Sequence, residues 1–490
     1  MLCVTGSEAS VAALARRVAD ADRRAGATLL HELRLDLVER IEWAALLELV
    51  RREGQRLLLC CRAERQGGGW RGSEEDRVAL LAYFFKQGGG WVDLEADVED
   101  ETLERFDRQR VVLSWHEPEV EGDAAERARR WQARLEAMAR RSSGLVKLAV
   151  AVEDAAELEA LRAARAAVPP GRGAIVIGMG AAGALSRSRY RRFGSAWCYV
   201  AAHADGRTAA GQLTLDEALA LGLPRANEAP FYALVGGPGV SLSPGPRVYN
   251  AFFRAQRMLA SYVAQPVRSL AATLPLFEAL GARGLSVTMP HKQEALALCR
   301  PDAVARRIGA VNSLRRDRDG VWSGTNTDVE GVRAPLARAL ARSGGTRALV
   351  LGAGGAARAA VVACRDLGLD VAVAARDPSR ARALLASVVG PEATAGAIAW
   401  EARADAGADV VVNATPLGGA RTPWPEGCPL GARVVFDLAL ATEPSRLLAV
   451  AAAGGSATLD GRAMWIHQGA RQMSWMLGRP IDARDLEEYL

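Results

Sequence analysis

The stretch Gly144-Leu-Val-Lys147-Leu-Ala-Val150 sets one lysine in the middle of an otherwise apolar run. Such a run, short and rich in Leu and Val, reads as a strand buried on both faces of a parallel sheet. Seven similar runs lie around it: Leu2–Thr5, Leu29–Leu35, Arg56–Arg62, Trp91–Glu95, Arg110–Trp115, Ala174–Gly178 and Ala196–Ala201. Stretches of Ala, Arg, Glu and Leu with helical period separate them. Eight strand–helix units before residue 218 predict a (β/α)8 TIM barrel better than an open sheet.

Barrel sites gather at the C-terminal strand ends. There the sequence places Glu32, Arg34, Arg62, Glu95, His116 and Lys147. Desolvation of Lys147 lowers its pKa and favours the free amine that Schiff-base chemistry needs. His116 alone fits a satisfied loop histidine, but one strand from Lys147 it reads as an acid–base group. Glu95, on its other side, is expected to hold the imidazole in one tautomer. Gly178, Gly180 and Gly183 form a GxGxxG after a strand, yet the next strand ends Val200-Ala201-Ala202 with nothing to read a ribose. We read that loop as an anion site built from backbone N–H groups and completed by Arg187.

The chain has 490 residues and a formal net charge of +5, which excludes an electrostatic nucleic-acid binder as the default. Its length predicts about three domains or lobes. Only Lys86, Lys147 and Lys292 are lysine. Arg serves wherever charge alone is needed, so lysine marks positions where an amine must exchange a proton or react. The seven cysteines show no CxxC spacing and read as reduced residues of a cytoplasmic protein. No apolar run approaches the ~18 residues of a membrane span, and the N-terminus enters a strand without a targeting presequence. The five histidines offer no i,i+4 ligand pair, so no metal is expected.

Leu221–Pro230 reads as a linker, after which two α/β lobes follow. Val350-Leu-Gly352-Ala-Gly354-Gly355-Ala356-Ala357 follows a strand and opens a helix, the βαβ context of a dinucleotide fingerprint. Arg376 ends the next strand and Arg380 lies one turn on, favouring the 2′-phosphate of NADP. Asp377 pulls toward NAD. Upstream, Ser286-Val-Thr288-Met-Pro-His-Lys292 precedes Gly309-Ala-Val-Asn312 and Gly324-Thr-Asn326-Thr-Asp328. Lys292 taken singly is an ordinary surface lysine. Meeting Asp328 across a cleft, it makes a proton-transfer pair beside a hydride acceptor.

The motifs Glu32-Leu-Arg34-Leu-Asp36, Val92-Asp-Leu-Glu95, Leu113-Ser-Trp-His116, Leu145-Val-Lys147, Leu185-Ser-Arg187 and Ala210-Gly-Gln212 make residues 1–218 resemble type I 3-dehydroquinate dehydratase. The resemblance implies an imine on Lys147, His116 as general base and then acid, and Glu95 orienting His116. It implies that Glu32, Arg34, Arg62, Arg187 and Gln212 bind the substrate's hydroxyls and carboxylate. Thr208 keeps the hydroxyl of the family's usual Ser-Ala-Pro-Gly-Gln, though Thr208-Ala-Ala-Gly-Gln212 lacks the proline.

Ser241-Leu-Ser243-Pro, Val411-Val-Asn413-Ala-Thr415-Pro-Leu-Gly418, Val435-Phe-Asp437-Leu, Asp460-Gly461 and Gln468-Gly-Ala-Arg-Gln472 make residues 231–490 resemble shikimate dehydrogenase. That resemblance implies Lys292 and Asp328 as the catalytic pair. It gives Ser241, Ser243, Thr288, Asn312 and Gln468 to the substrate, and Asn413 and Thr415 to the loop beside the nicotinamide. The chain departs at Tyr249-Asn250, Ala375-Arg376-Asp377 and Leu438-Ala-Leu440, where the family usually has His-Asn, Asn-Arg-Thr and a Tyr after Asp-Leu.

The expected organisation is a dehydratase barrel (1–220), a substrate-binding lobe (231–336), a Rossmann-like NADP lobe (337–462) and C-terminal helices (463–490) returning to the substrate lobe. Together these give a bifunctional enzyme that dehydrates 3-dehydroquinate and reduces the product to shikimate with NADPH. A catabolic quinate or shikimate dehydrogenase fused to the dehydratase and tolerant of NAD is the alternative. A ligand-sensing regulator would be expected to lose the catalytic groups, and a class I aldolase leaves the second half unexplained. The partners are small-molecule substrates, with no nucleic acid or membrane; the sequence leaves the oligomeric state open.

Overall fold

The computed structural model describes residues 1–441 and 443–490. The chain falls into two compact units, Met1–Ala282 and Arg283–Leu490.

In the first unit, β1 (Leu2–Thr5), β2 (Leu30–Arg34), β3 (Leu57–Cys60), β4 (Trp91–Glu95), β5 (Val111–Glu117), β6 (Leu145–Ala151), β7 (Ala174–Met179) and β8 (Cys198–Ala201) pair in parallel. Their order is β7-β6-β5-β4-β3-β2-β1-β8, and a short β9 (Leu213–Thr214) joins the outer edge of β8. The curled sheet closes where Ala174 bridges Ser195 and the Ala196 N–H donates to the Ala174 carbonyl at 2.9 Å. The strands are almost wholly buried because helices cover the outer face. These helices start at polar caps: Ser10 before Val11–Ala25, Ser73 before Glu74–Lys86, and an Asp123/Glu126 capping box before Ala124–Arg141. Cys3, Leu30, Leu58, Val112, Leu145, Ile175 and Trp197 fill the interior as one apolar cluster. The ionisable strand residues therefore collect at the opposite, C-terminal end.

After the expected linker, β10 (Phe231–Gly236) and β11 (Ser261–Pro266) pair in parallel. Buried Gln265 and Arg189 tie β11 to the barrel.

In the second unit, β12 (Ala282–Val287) pairs antiparallel with β14 (Ser313–Arg316), and β14 with β15 (Trp322–Thr325). A short β13 (Arg300–Pro301) runs parallel to β15. The remaining strands are β16 (Arg347–Leu351), β17 (Asp370–Ala375), β18 (Ala397–Ala399), β19 (Val410–Asn413), β20 (Val434–Asp437) and β21 (Ala457–Leu459). They form an all-parallel sheet in the order β18-β17-β16-β19-β20-β21. This is the doubly wound Rossmann order, in which the order of the strands reverses between β16 and β19 and opens a crevice there. Helix Gly461–Leu477 packs on helix Asp328–Ser343, so closely that a Cβ on Gly331 would lie 2.8 Å from the Gln468 Cβ.

The GxGxxG of the barrel has a packing role. A Cβ on Gly183 would come within 2.1 Å of the Gly178 carbonyl oxygen, and Gly180 has φ +83°. Gly183→Ala should therefore destabilise the barrel by about 1–3 kcal/mol through overpacking, seen as a lower unfolding midpoint in calorimetry. An unchanged midpoint would remove this account of the motif.

Candidate active sites

A cavity of about 350 Å³ opens at the C-terminal strand ends of the barrel. Lys147, buried on β6, donates from Nζ to Asp93 Oδ2 at 3.0 Å and lies 4.3 Å from the centre of the Tyr199 ring. Asp93 Oδ1 accepts from Ser114 Oγ at 2.6 Å and sits 3.4 Å from Arg62 Nη2. Burial alone would push the Asp93 carboxyl up, but the charges of Lys147 and Arg62 hold it well below the usual carboxylate range. Arg62 Nη1 lies 2.5 Å from Nδ1 and 2.9 Å from Nε2 of His116. Burial, followed by the positive charges of Arg62 and Lys147, keeps this imidazole neutral well below pH 6.5. A neutral imidazole is ready to accept a proton.

Glu32, Arg34, Thr208 and Gln212 also line the cavity. Arg34 makes a bidentate pair with Asp36 at 2.9 and 2.6 Å, which fixes its guanidinium. Gln212 Oε1 accepts from the Thr208 N–H at 2.9 Å, so this loop is closed by its own residues without a proline. Arg187 is different. It is 3% exposed, and its one hydrogen bond, to the Ala210 carbonyl at 3.4 Å, is long. Among the described residues no carboxylate lies within ion-pair distance, and burial pulls its pKa down. A buried guanidinium with one long hydrogen bond leaves donors that an anion can use. Glu32, Cys60 and Asp93 bring three metal-type donor atoms within 4.8 Å, but Arg62 and Lys147 already balance Asp93.

In the second unit Lys292 Nζ donates to Asp328 Oδ2 at 2.6 Å, with the lysine side chain 24% exposed. Asp328 begins helix Asp328–Ser343, and its Oδ1 accepts from Asn312 Nδ2 at 2.8 Å. Asn312 Oδ1 accepts from the Thr327 N–H at 2.9 Å, and Thr327 Oγ1 lies 3.4 Å from Gln468 Oε1. Gln472 donates to the Asn312 carbonyl at 3.1 Å and to Ser313 Oγ at 2.8 Å, and accepts from Ser286 Oγ at 2.6 Å. The C-terminal helix thereby locks β12 and the start of β14, next to Asn312.

A larger cavity, about 740 Å³, lies at the switch point between β16 and β19. Gly352, with φ +107°, brings its backbone against the Ala414 carbonyl, where a Cβ would be 3.0 Å away. Beyond it, Gly354 and Gly355 have nothing within 4 Å of a Cβ position. Helix Gly355–Asp366, whose first residues include Ala356, starts without a side-chain cap. Its first N–H groups therefore face the cavity as a cradle for an anion. Arg376 and Arg380 line the same cavity, and neither has a carboxylate in ion-pair distance among the described residues. Asp377 caps helix Pro378–Val388, with Oδ1 accepting from the Ser379 N–H at 2.9 Å and Oγ at 2.6 Å. The crevice fits a dinucleotide with an extra phosphate.

The second half is 39% identical to shikimate dehydrogenase (NADP(+)) of Natronomonas pharaonis over 264 residues, covering 53% of this chain and 97% of that one. The chain belongs to the shikimate dehydrogenase family. Shikimate dehydrogenase (NADP(+)) of Anaeromyxobacter dehalogenans is 41% identical over 273 residues, 53% of this chain and 95% of that protein. The family description "shikimate dehydrogenase substrate binding domain" matches residues 234–314, and "type I 3-dehydroquinase" matches residues 2–221. A solved structure described as dehydroquinate dehydratase and shikimate dehydrogenase from S. pombe AroM aligns with 100% of this chain and 97% of its own, at 20% identity and TM-score 0.45. The chain thus joins a type I 3-dehydroquinase domain, a lyase, to a shikimate dehydrogenase domain, an oxidoreductase.

In the 3-dehydroquinase domain the structure gathers Glu32, Arg34, Arg62, His116, Lys147, Arg187, Thr208 and Gln212 around one cavity. Two expectations are corrected. Lys147 is not an isolated amine in an apolar strand, because Asp93 meets it as an ion pair. Glu95 does not orient His116: its Oε1 accepts from the Ala63 N–H at 2.9 Å and its Oε2 lies 2.5 Å from Arg77 Nη1. It anchors the backbone beside Arg62 instead. Asp93, Gln66 and Tyr199 were not singled out as site residues. The period-two spacing of Asp93 and Glu95 puts both on one strand face, a signal that could have pointed to Asp93.

In the shikimate dehydrogenase domain, hydrogen bonds link Lys292, Asp328, Asn312 and, through Thr327, Gln468. Thr288 accepts through its carbonyl from the His291 N–H at 3.0 Å, one residue before Lys292. Ser241 and Ser243 lie in the other compact unit, where Ser243 Oγ accepts from the Gly245 N–H at 3.2 Å. Asn413 is corrected as a cofactor contact. It is fully buried, and its amide is spent on Asp437 Oδ1, the Leu417 carbonyl, and the N–H and Oγ1 of Thr415. It shapes the loop, while Thr415 reaches the cavity. Trp400 and Arg421 line that cavity too, unmarked by any fingerprint.

Because Arg62 adds to burial in lowering the His116 pKa, Arg62→Met should raise it and move the acid limb of the dehydratase pH–kcat profile to higher pH. A profile that keeps its acid limb would separate Arg62 from the base.

Proposed function

We propose that the protein catalyses two consecutive reactions, dehydration of 3-dehydroquinate to 3-dehydroshikimate in the barrel and reduction of that product to shikimate with NADPH in the second half. The observation that carries the first reading is a buried lysine and a buried arginine without an acid in one cavity, an amine for a ketone and a cation for a carboxylate.

Lys147 passes a proton of its ammonium to neutral His116 and attacks the ketone; that proton returns to the carbinolamine hydroxyl, which leaves as water to give an iminium that withdraws electrons from the adjacent carbon. Neutral His116 takes the proton from that carbon. The hydroxyl one carbon further departs as water with the proton returned by His116, and a second water hydrolyses the imine to release the product and restore the amine. Asp93 steadies positive charge on the nitrogen before and after imine formation. Arg187 holds the carboxylate; Glu32, Arg34, Arg62, Thr208 and Gln212 hold hydroxyls and shape the pocket.

In the second half, Lys292 supplies a proton to the substrate oxygen and Asp328 holds the ammonium, with Asn312 fixing the carboxylate. Thr288, Asn312 and Gln468 bind the remaining substrate groups. NADPH supplies the hydride when bound. The glycine turn and helix start at Gly352–Ala356 would hold its pyrophosphate, Thr415 would border the nicotinamide, and Arg376 and Arg380 would take the 2′-phosphate. Asp377 has its carboxylate engaged as a helix cap, which supports NADP over NAD and biosynthetic reduction over a catabolic quinate reaction. The functional segments are then 1–220, 231–336, 337–462 and 463–490. Seven unpaired cysteines support a reducing, cytoplasmic setting; among the described residues no helix is long and apolar enough to cross a membrane.

Borohydride added with 3-dehydroquinate should leave a reduced adduct on Lys147 alone by peptide mass spectrometry. An adduct elsewhere, or none, overturns the imine assignment. Lys292→Ala should lower dehydrogenase kcat by about 10²–10⁴-fold while dehydration continues, and a parallel loss of both activities would contradict two separate sites. Arg376→Ala should raise KM for NADPH far more than for NADH in initial-rate assays.

A further inference from the structure

Arg187 sits in a helix of five residues, Ala184–Ser188, that has no side-chain cap of its own. So short a helix satisfies few of its own backbone groups. The missing partners come from beyond the barrel. Gln265 on β11 lies within the stretch matching the shikimate dehydrogenase substrate binding domain and is 0% exposed. Its Oε1 accepts from the Leu185 N–H at 3.2 Å, and its Nε2 donates to the carbonyls of Ala182 at 2.9 Å and Pro266 at 3.0 Å. At the other end, Asn227 Nδ2 donates to the Ser188 carbonyl at 2.9 Å and its Oδ1 accepts from the Arg191 N–H at 2.9 Å. Between them, buried Arg189 donates to the carbonyls of Ala226, Asn227 and Ala229 at 2.9, 3.2 and 3.1 Å and to Ser261 Oγ, with its guanidinium over the Phe231 ring.

The helix that carries the carboxylate receptor of one activity is thus held at both ends by chain outside its barrel. We propose that Gln265 is a positioning residue for the dehydratase: it caps helix Ala184–Ser188 and so sets where the Arg187 guanidinium meets the substrate carboxylate. This rests on the reading of Arg187 given above. Gln265 fits the task because a side-chain amide sets an acceptor oxygen beside an NH₂ with two donors, matching the Leu185 N–H and the Ala182 carbonyl three residues apart and leaving one donor for Pro266. The effect should appear in binding, since the reacting amine and imidazole stand on β6 and β5, which Gln265 does not touch.

The test uses the full chain. Gln265→Leu should raise the dehydratase KM for 3-dehydroquinate on the order of tenfold through misplacement of Arg187, with kcat within about twofold and borohydride trapping on Lys147 retained. In an Arg187→Ala background the same substitution should change KM no further, because a residue acting through Arg187 has nothing left to act on. An unchanged KM in folded Gln265→Leu, or an equal rise in both backgrounds, overturns the proposal. If Arg187→Ala itself leaves KM unchanged, the assignment of Arg187 to the carboxylate fails and the proposal with it; if only Gln265→Leu is silent, the proposal alone fails. Should Gln265→Leu not fold, Asn227→Ala, which frees the Ser188 carbonyl, carries the same pair of comparisons.

Discussion

An ammonium and a carboxylate held 3.0 Å apart inside the barrel, Lys147 and Asp93, set the terms for everything around them. Burying either charge alone would cost several kcal/mol. Together, with Ser114 and Arg62 satisfying the carboxylate's other oxygen, they form a network that keeps a potential nucleophile in place without a metal ligand. Burial, with the positive charges of Arg62 and Lys147, keeps His116 neutral beside that pair. Arg187 lines the same cavity with no carboxylate in ion-pair distance among the described residues.

The second half divides its work differently. Its acid–base pair is half-open to solvent, and its order comes from amides: Asn312, Gln468 and Gln472 connect the Asp328 carboxylate to a helix at the far end of the chain. The dinucleotide crevice is prepared mostly by what is missing, namely side chains at Gly354 and Gly355 and a cap at the helix start. The two halves thus reach readiness by opposite routes, dense charge in one and open backbone in the other.

Much of this was legible because the signals are local. An apolar strand interrupted by Lys147, strands of regular spacing, and a glycine turn between strand and helix each report on their own few residues. What the sequence left open lies in contacts between segments remote in the chain. Which carboxylate of Asp93 and Glu95 faces the lysine depends on the barrel's curl, and Arg77, whose helix follows β3, draws Glu95 away. Whether Asp377 reads a ribose depends on a helix start that engages its Oδ1. The linker at Leu221–Pro230 reads as a domain border by composition, yet Asn227 within it is fully buried and bonded to the barrel.

The scarcity of lysine has a practical corollary. Of the three, Lys86 is exposed at a helix end, Lys292 is partly accessible and Lys147 is nearly sealed. An amine-selective reagent therefore meets an ordered series of targets in which each step beyond the first reports on a different reaction centre. Protection of one lysine by its own substrate is directly separable from protection of the other.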